Sequence, residues 1–172
     1  MILFLHGFNS SGACKKCQLL ESKSDTSIIP SLDLLNITLS LETLEKILQE
    51  SDIDLIIGAS FGGFYAHYLS KKYDKKLLLI NPIVNPLDFI EDISVGGLDK
   101  TALISKIEKI RLYNEKHHFT QAVEVLFGLD DDVVDYKKSR ELFKQFPCKF
   151  YKDDHSLLKG FEDYLKQNSR LL

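Results

Sequence analysis

Short, largely apolar runs alternate along this chain with segments of helical periodicity. Residues 2–5, 53–57 and 76–80 are almost continuously apolar, as expected for strands that are buried on both faces. Further strands are predicted at 28–29, 122–127 and 148–152. Helices are predicted at 12–22, 60–72 and 136–146, and another behind an N-cap at Thr38 or Ser40. Two more are predicted from apolar stripes with helical spacing. The first stripe is Leu103, Ile104, Ile107 and Ile110, and the second is Leu157, Leu158, Phe161, Tyr164 and Leu165. This alternation predicts an α/β fold, a mostly parallel sheet of about six strands with helices on both faces.

Composition limits the organisation of the chain and its partners. The 172 residues are 44% hydrophobic and 27% charged, with four prolines, which predicts a single domain over 1–172 without a linker. The net charge is −3 and the lysines are scattered, so no nucleic-acid partner is expected. No apolar run approaches the roughly 18 residues of a membrane span, and residues 1–7 do not resemble a signal peptide. We therefore expect a cytoplasmic protein without membrane insertion.

The cysteines do not suggest the disulfide framework of a secreted protein, because the chain has three of them. Cys14 and Cys17 have the spacing of a redox pair or of half a zinc site. No second Cys-x-x-Cys or His pair completes a zinc site, and Cys148 is distant in sequence. We expect two free thiols one turn apart on a surface helix, with a thiol redox pair as the alternative.

A serine, acidic residues and a histidine follow different predicted strands. Ser60 lies in Gly-Ala-Ser-Phe-Gly (58–62), an acidic run occupies 130–132, and His155 follows the last strand. Because sites form at the carboxyl ends of parallel strands, these groups are expected at one edge of the sheet. The Gly-x-Ser-x-Gly motif between strand and helix, with Asp and then His later in the chain, is typical of α/β-hydrolases. The loop has neither a P-loop ending nor a dinucleotide fingerprint, so nucleotide binding is not expected.

This pattern predicts roles for five residues. Ser60 is the candidate nucleophile and His155 the general base. For the acid, an Asp and one spacer before two aliphatic residues is similar to other hydrolases of this superfamily and favours Asp131, with Asp130 as the alternative. The backbone N–H groups of Phe8 and Phe61 are the candidate oxyanion hole. His6 is expected to be a hydrogen-bonded framework residue.

Several stretches resemble the YqiA-like esterases of the α/β-hydrolase superfamily. They are spread over nearly the whole chain, and "LHGFNSS" and "GFEDY" are distinctive for this small family. The matching stretches are "LFLHGFNSS" (3–11), "KKCQL" (15–19), "GASFGGFYA" (58–66), "INPIVNP" (80–86), "DDVVDY" (131–136), "DH" (154–155) and "GFEDYL" (160–165). The resemblance implies a compact hydrolase with Ser60, Asp131 and His155 as its triad, acting on short acyl esters or thioesters.

Residues 83–120 match that family least and enter between a strand end and the strand that leads to the acid. Their apolar stripe fits either a cap over the site or ordinary core packing. If the segment is a cap or lid, Phe89, Ile93 and Leu98 are expected to line an acyl pocket together with Phe8 and Phe61.

The sequence therefore predicts a serine carboxylesterase that cleaves short acyl esters through an acyl-enzyme on Ser60. The expected partner is a small-molecule acyl ester or thioester, and the reaction needs no metal or organic cofactor. One alternative is an acyl-CoA or other thioesterase with the same triad. Two others are a non-catalytic binding module on the same fold and a thiol redox protein that uses Cys14 and Cys17.

Overall fold

The strands and helices alternate along the chain, as the apolar pattern predicts. The computed structural model describes residues 1–8, 10–90 and 99–168. The strands in this part of the chain are β1 (Ile2–Leu5), β2 (Ser27–Ile28), β3 (Leu55–Ala59), β4 (Lys76–Ile80), β5 (Val123–Gly128) and β6 (Cys148–Tyr151). The helices are α1 (Lys15–Glu21), α2 (Ile37–Glu50), α3 (Phe61–Tyr73), α4 (Leu87–Ile90), α5 (Lys100–Lys116), α6 (Tyr136–Phe143) and α7 (Leu158–Gln167).

The six strands form one parallel sheet in the order β2-β1-β3-β4-β5-β6. Leu5 lies opposite Gly58, and Ala59 lies opposite Ile80, so the carboxyl ends of β1, β3 and β4 are level. The chain moves outward from β1 to β2 and then returns to β3 on the other side of β1. The strand order therefore reverses between β1 and β3, which is where ligands bind in open α/β sheets.

Two apolar clusters cover the two faces of the sheet and confirm helices on both sides. On one face, Phe4 and Ile57 pack with Leu20 of α1 and Phe161 of α7. On the other face, strand residues pack with side chains of α2, α3, α5 and α6, among them Leu44, Phe64, Ile107 and Phe143. The α/β fold predicted from the sequence is confirmed.

Helix α5 lies within residues 83–120, for which the sequence allowed two alternatives, a cap over the site or ordinary core packing. Leu103, Ile107 and Ile110 are buried in the same cluster as α2 and α3. Ile104, predicted to share this stripe, is instead 42% exposed. The helix is thus a layer of the fold, and a covering role for the rest of 83–120 stays a prediction.

Helix α2 begins earlier than the sequence analysis predicted. Its N-cap is Asn36, whose Oδ1 accepts a hydrogen bond from Leu39 N over 3.3 Å. The predicted cap at Thr38 or Ser40 is wrong, because both residues lie inside the helix and Ser40 Oγ donates instead to the carbonyl of Asp33 over 2.7 Å. An Asn side chain satisfies the free N–H groups of a first turn as well as Ser does. Over the described ranges, no helix combines the length and apolarity that crossing a bilayer requires.

Candidate active site

Ser60 occupies a sharp turn between β3 and α3. Its backbone has φ 52° and ψ −122°, a region that costs a residue with a side chain about 1–3 kcal/mol. Three backbone hydrogen bonds hold it there: Ser60 N donates to the carbonyl of Ile80 over 2.9 Å, and the Ser60 carbonyl accepts from Gly63 N over 2.9 Å and Ile83 N over 3.0 Å. The turn is therefore fixed by its neighbours and presents the Ser60 hydroxyl at the carboxyl end of the sheet.

Two glycines of the motif are required by close packing around this turn. A Cβ atom on Gly58 would lie 2.5 Å from Cβ of Ala66 and 2.8 Å from Cα of Gly63. A Cβ atom on Gly62 would lie 2.5 Å from the backbone oxygen of His6 and would also meet that of Leu5. Neither contact can be relieved by turning a side chain alone, so α3 reaches β1 and β3 this closely only with glycine at both positions.

His155 lies between the Ser60 hydroxyl and a carboxylate. Its Nε2 is 3.1 Å from Ser60 Oγ, and its Nδ1 is 2.9 Å and 3.0 Å from the two carboxylate oxygens of Asp131. With the proton on Nδ1, the ring donates to Asp131 and its Nε2 can accept the Ser60 proton. The structure thus brings together the three side chains that the sequence predicted as a triad.

The carboxylate of Asp131 is held by the loop that follows β5. Its side chain is 0% exposed, and its Oδ1 accepts hydrogen bonds from Val133 N and Val134 N, each over 2.9 Å. Burial acts to raise the pKa of Asp131, but the hydrogen bonds from His155 and from these two N–H groups outweigh it and hold the pKa below its ordinary value. Asp131 is therefore ionised beside the imidazole near neutral pH.

The neighbouring residues of this loop have other environments. Asp130 is exposed and its backbone N donates to the carbonyl of Asp153 over 3.0 Å, and Asp132 is exposed as well. Val134 is buried, whereas Val133 is 54% exposed. The buried Val134, the two N–H contacts to Asp131 and the hydrogen bond from Asp130 N together fix this loop.

The loop after β1 closes the other side of the turn. A Cβ atom on Gly7 would lie 3.1 Å from Cβ of Ser60, so this loop passes directly against the serine. Phe61 is the first residue of α3, and its N–H therefore has no partner within the helix. The rings of Phe8 and Phe61 lie 6.2 Å apart. Both predicted oxyanion-hole residues flank the serine, and their role stays a prediction.

His6 has the framework role that the sequence analysis expected. It is 1% exposed, its Nε2 accepts from Leu32 N over 3.0 Å, and its Nδ1 lies 2.9 Å from the carbonyl of Gly7. A single proton on Nδ1 satisfies both contacts. His6 thereby fixes the loop that passes against Ser60.

Asn81 is a positioning residue to which the sequence analysis gave no role. It is 1% exposed and has φ 42°. Its Oδ1 accepts from Gly128 N over 2.7 Å, and its Nδ2 lies 3.1 Å from the carbonyl of His155 and 3.3 Å from that of Asp154. One amide thus joins the end of β5 to the loop that carries the imidazole. The only sequence signal was a polar residue directly after a buried strand.

A cavity of about 270 Å³ opens beside the serine. Ser60, His155, Phe8, Cys14 and Lys16 are among its lining residues. Three side chains were predicted to line an acyl pocket with Phe8 and Phe61. Ile93 and Leu98 lie outside the described residues, and so does the side chain of Phe89.

The cavity wall includes a disulfide between Cys14 and Cys17, where the sequence analysis expected free thiols on a surface helix. Cys14 is the N-cap of α1, and its Sγ accepts from Cys17 N over 3.2 Å. This capping turn brings the two Cα atoms to 4.9 Å, within the usual range for a disulfide. Cys17 is fully buried, so only Cys14 of the pair borders the cavity.

Lys16 also borders the cavity and contacts the loop of the imidazole. Its Nζ donates a hydrogen bond to the carbonyl of Ser156. Burial lowers the pKa of Lys16 to about 8, although the carboxylates of Asp154, Asp153 and Asp131 act to raise it. The lysine therefore links α1 to the residue that follows His155.

The reversed strand order, the strained serine at the end of β3, and acidic and histidine side chains after later strands define an α/β-hydrolase fold. Mouse alpha/beta hydrolase domain-containing protein 10 shares it with a TM-score of 0.67 and 14% identity, over 99% of this chain and 90% of the mouse protein. Est1E from Butyrivibrio proteoclasticus with ferulic acid bound has a TM-score of 0.64 and 16% identity, over 96% of this chain and 88% of Est1E. S-formylglutathione hydrolase from Staphylococcus aureus has a TM-score of 0.66 and 14% identity, over 98% of this chain and 80% of that protein.

The family is identified by sequence. The chain belongs to the uncharacterised protein family UPF0227, which matches residues 1–172. A UPF0227 protein of Pectobacterium atrosepticum is 24% identical over 157 residues, which cover 85% of this chain and 83% of the relative. A second, from Pectobacterium carotovorum, is 24% identical over 154 residues, covering 83% and 81%.

Proposed function

We propose that the protein is a serine hydrolase of the carboxylesterase type, with Ser60 as nucleophile, His155 as general base and Asp131 as the acid. The observation that carries this proposal is the continuous contact from Ser60 Oγ to His155 Nε2, and from His155 Nδ1 to the buried Asp131 carboxylate. A serine alone is a weak nucleophile, and this arrangement supplies the base and its orienting carboxylate.

The proposed reaction has two steps. Ser60 Oγ attacks the acyl carbonyl while its proton passes to His155 Nε2, and His155 then protonates the leaving alcohol. The N–H groups of Phe8 and Phe61 stabilise the oxyanion in each tetrahedral intermediate. Water then attacks the acyl-enzyme while its proton passes to His155, and His155 returns the proton to Ser60 Oγ as the carboxylic acid leaves. Ionised Asp131 keeps the imidazole proton on Nδ1 and stabilises the imidazolium.

The size of the cavity favours a short acyl group. Its volume of about 270 Å³ lies below the ~300–1,000 Å³ typical of pockets for drug-sized ligands. A thioesterase remains the alternative within the class, because the same triad acts on thioesters and one solved structure with this fold is named for S-formylglutathione, a thioester. A screen of matched acyl esters and acyl-CoA thioesters across chain lengths distinguishes the two.

A fluorophosphonate probe tests the nucleophile. We expect the unaltered protein to be labelled and Ser60→Ala to remain unlabelled. Ser156→Ala is the matched control, because this serine lines the same cavity but its hydroxyl contacts Asp154 at 2.5 Å. Absence of labelling in the folded, unaltered protein would favour a binding module on this fold and overturn the proposal.

A thiol-disulfide oxidoreductase is a second candidate, favoured by the Cys14–Cys17 disulfide at the cavity wall. Cys14 is at the N-terminus of α1, where a thiolate is stabilised. This candidate predicts insulin-disulfide reduction that survives Ser60→Ala and is lost in Cys14→Ser. The hydrolase is supported over this candidate if Cys14→Ser keeps its esterase activity and no variant reduces insulin.

A further inference from the structure

A second cavity, of about 500 Å³, lies between α3, α5 and α6 and shares no lining residue with the cavity at Ser60. Its lining includes His67 and Lys71 of α3, Arg111 and Asn114 of α5, and Phe143 of α6. The volume lies within the ~300–1,000 Å³ range of small-molecule sites. The proposed esterase chemistry uses none of these residues.

Two buried polar atoms of this lining lack a hydrogen bond within the part of the chain that the structure describes. They are Nε2 of His67, a residue only 6% exposed, and Oδ1 of Asn114. Burying a polar atom without a partner is costly, and such atoms are rare in folded proteins. Two of them beside one cavity indicate that a polar occupant completes the site.

Lys71 is a cation of this lining that has no carboxylate partner in the part of the chain that the structure describes. Among the described residues, no carboxylate lies within ion-pair distance of Lys71 Nζ, which donates to the carbonyl of Asn114 over 2.6 Å and lies 4.5 Å from the centre of the Phe119 ring. Its burial lowers the pKa to about 8. Because an ammonium group has three donors, Lys71 can also bind an anion.

Apart from Lys71, the lining holds one cation and one carboxylate. Glu115 is its acidic member, and Arg111 is a second cation whose Nη1 pairs with Glu108 over 2.7 Å. Burial, followed by the nearby Lys71 charge, lowers the pKa of His67 to about 3, so this imidazole is neutral. Among the described residues Lys71 is the lining cation without a carboxylate at ion-pair distance, and it therefore favours a negatively charged ligand over a cation.

The floor of the cavity is aromatic. The His67 ring stacks on Phe119 with centroids 5.2 Å apart, and it meets Phe143 edge-on at 5.3 Å. Phe146 packs against Phe119 at 5.3 Å and also lines the cavity. An apolar body placed on the half-buried Phe119 and Phe146 rings would remove their remaining surface from water, while one charged end reaches Lys71.

We propose that this cavity is a binding site for a small organic carboxylate with an apolar body, separate from the site at Ser60. The carboxylate binds Lys71, the apolar body lies on the Phe119 and Phe146 rings, and His67 with Asn114 supplies further polar contacts. A half-turn of the Asn114 amide exchanges its O and N, which offers N–H donors to the same anion.

The test uses octanoate as the probe and a tryptophan placed at the rim. The chain has no tryptophan, so Leu142→Trp, at a lining residue that is 50% exposed, introduces a single fluorophore beside the cavity. We expect saturable octanoate binding by the change in emission. Uncharged octanamide is expected to bind about tenfold more weakly, because it cannot form the charge-assisted hydrogen bond to Lys71. Leu39→Trp, at an exposed position of α2, is expected to give no response.

When Lys71→Met is combined with Leu142→Trp in one protein, octanoate binding should weaken about tenfold and octanamide binding should stay unchanged. Lys109→Met, at an exposed lysine of α5, is the matched control and should change neither. Equal binding of octanoate and octanamide, or no response at the Leu142→Trp reporter, overturns the proposal. The comparison of octanoate with octanamide uses the protein with its native Lys71, so it tests the proposal even if Lys71→Met fails to fold.

Discussion

The side-chain amide of Asn81 lies 3.1 Å from the backbone carbonyl of His155 and donates a hydrogen bond to it. The same amide accepts a hydrogen bond from Gly128 N over 2.7 Å. A residue at the end of β4 therefore fixes both the end of β5, which leads to Asp131, and the loop of His155. This side chain thus helps to set the spacing of the proposed acid and base, together with the hydrogen bond from Asp130 N to the carbonyl of Asp153.

Asn81→Asp tests this positioning role. The carboxylate keeps the acceptor for Gly128 N but loses the donor and faces two carbonyl oxygens, so the loop of His155 should shift. We expect kcat for a short-chain ester to fall by up to about a hundredfold, the scale of a misplacement of about 1 Å. KM should change little.

Asn168→Asp is the matched control for this prediction. Its amide also donates to a backbone carbonyl, that of Tyr164 over 2.9 Å, at the end of α7. An equal loss of kcat in both variants would assign the effect to general stability and contradict the positioning role.

Replacement of the three consecutive acidic residues should separate the proposed acid from its neighbours. Asp131→Asn leaves the imidazole without its carboxylate and is expected to lower kcat by about 10⁴-fold, the scale of this change in other triads. Asp130→Asn and Asp132→Asn, at exposed positions, should change kcat less than about twofold, since surface substitutions have small effects. Steady-state kinetics checks this, and a larger loss at Asp130 would move the role there.

Gly62→Ala should disrupt the turn at Ser60. The added methyl group meets the backbone oxygens of Leu5 and His6, and overpacking of this kind destabilises by about 1–3 kcal/mol. We expect a lower thermal transition together with lost probe labelling. At Gly160 the added methyl would meet the Tyr151 side chain, 2.7 Å from its nearest ring carbon, so Gly160→Ala should keep its labelling once folded. Normal labelling of Gly62→Ala would contradict this account of the turn.

His67 should make the fold sensitive to acid. Burial, followed by the nearby Lys71 charge, lowers its pKa from 6.5 to about 3, so between these values the unfolded state binds a proton that the folded state does not. The free energy of unfolding should therefore fall as pH drops below about 6.5, by at most about 1.4 kcal/mol per pH unit from this group.

Urea unfolding at a series of pH values tests the contribution of His67. His67→Phe keeps an aromatic ring between Phe119 and Phe143 and should give a flatter pH dependence between about 3 and 6.5. His117→Phe, at an exposed histidine, should retain the parent slope. Parallel profiles for all three proteins would show that His67 contributes nothing to acid sensitivity.

The parts of the fold and site that could be predicted from the sequence depend on local patterns and one geometric rule. Almost continuous apolar runs located β1, β3 and β4 because parallel strands are buried on both faces. The convergence of their carboxyl ends brought Ser60, Asp131 and His155 to one edge, although 95 residues separate the first from the last.

What could not be predicted depends on contacts between distant segments or on exposure. The partners of Asn81 lie 47, 73 and 74 residues away, and no local pattern encodes such contacts. Residues 133 and 134 are both valine, yet only Val134 is buried. The loop turns between them so that both of their N–H groups contact Asp131. The Cys14–Cys17 bond depends on the capping turn of α1, which spacing alone does not specify.

The hydrogen bond from Lys16 to the carbonyl of Ser156 has a consequence for how substrate preference can change. The same short helix forms one wall of the cavity through Cys14 and holds the loop of His155 through Lys16. A shift of α1 that admits a bulkier acyl group would also move the imidazole. In the proposed hydrolase, pocket width and proton-transfer geometry are therefore coupled through Lys16, and a variant with a wider pocket would rely on the remaining anchor, Asn81, to hold that loop.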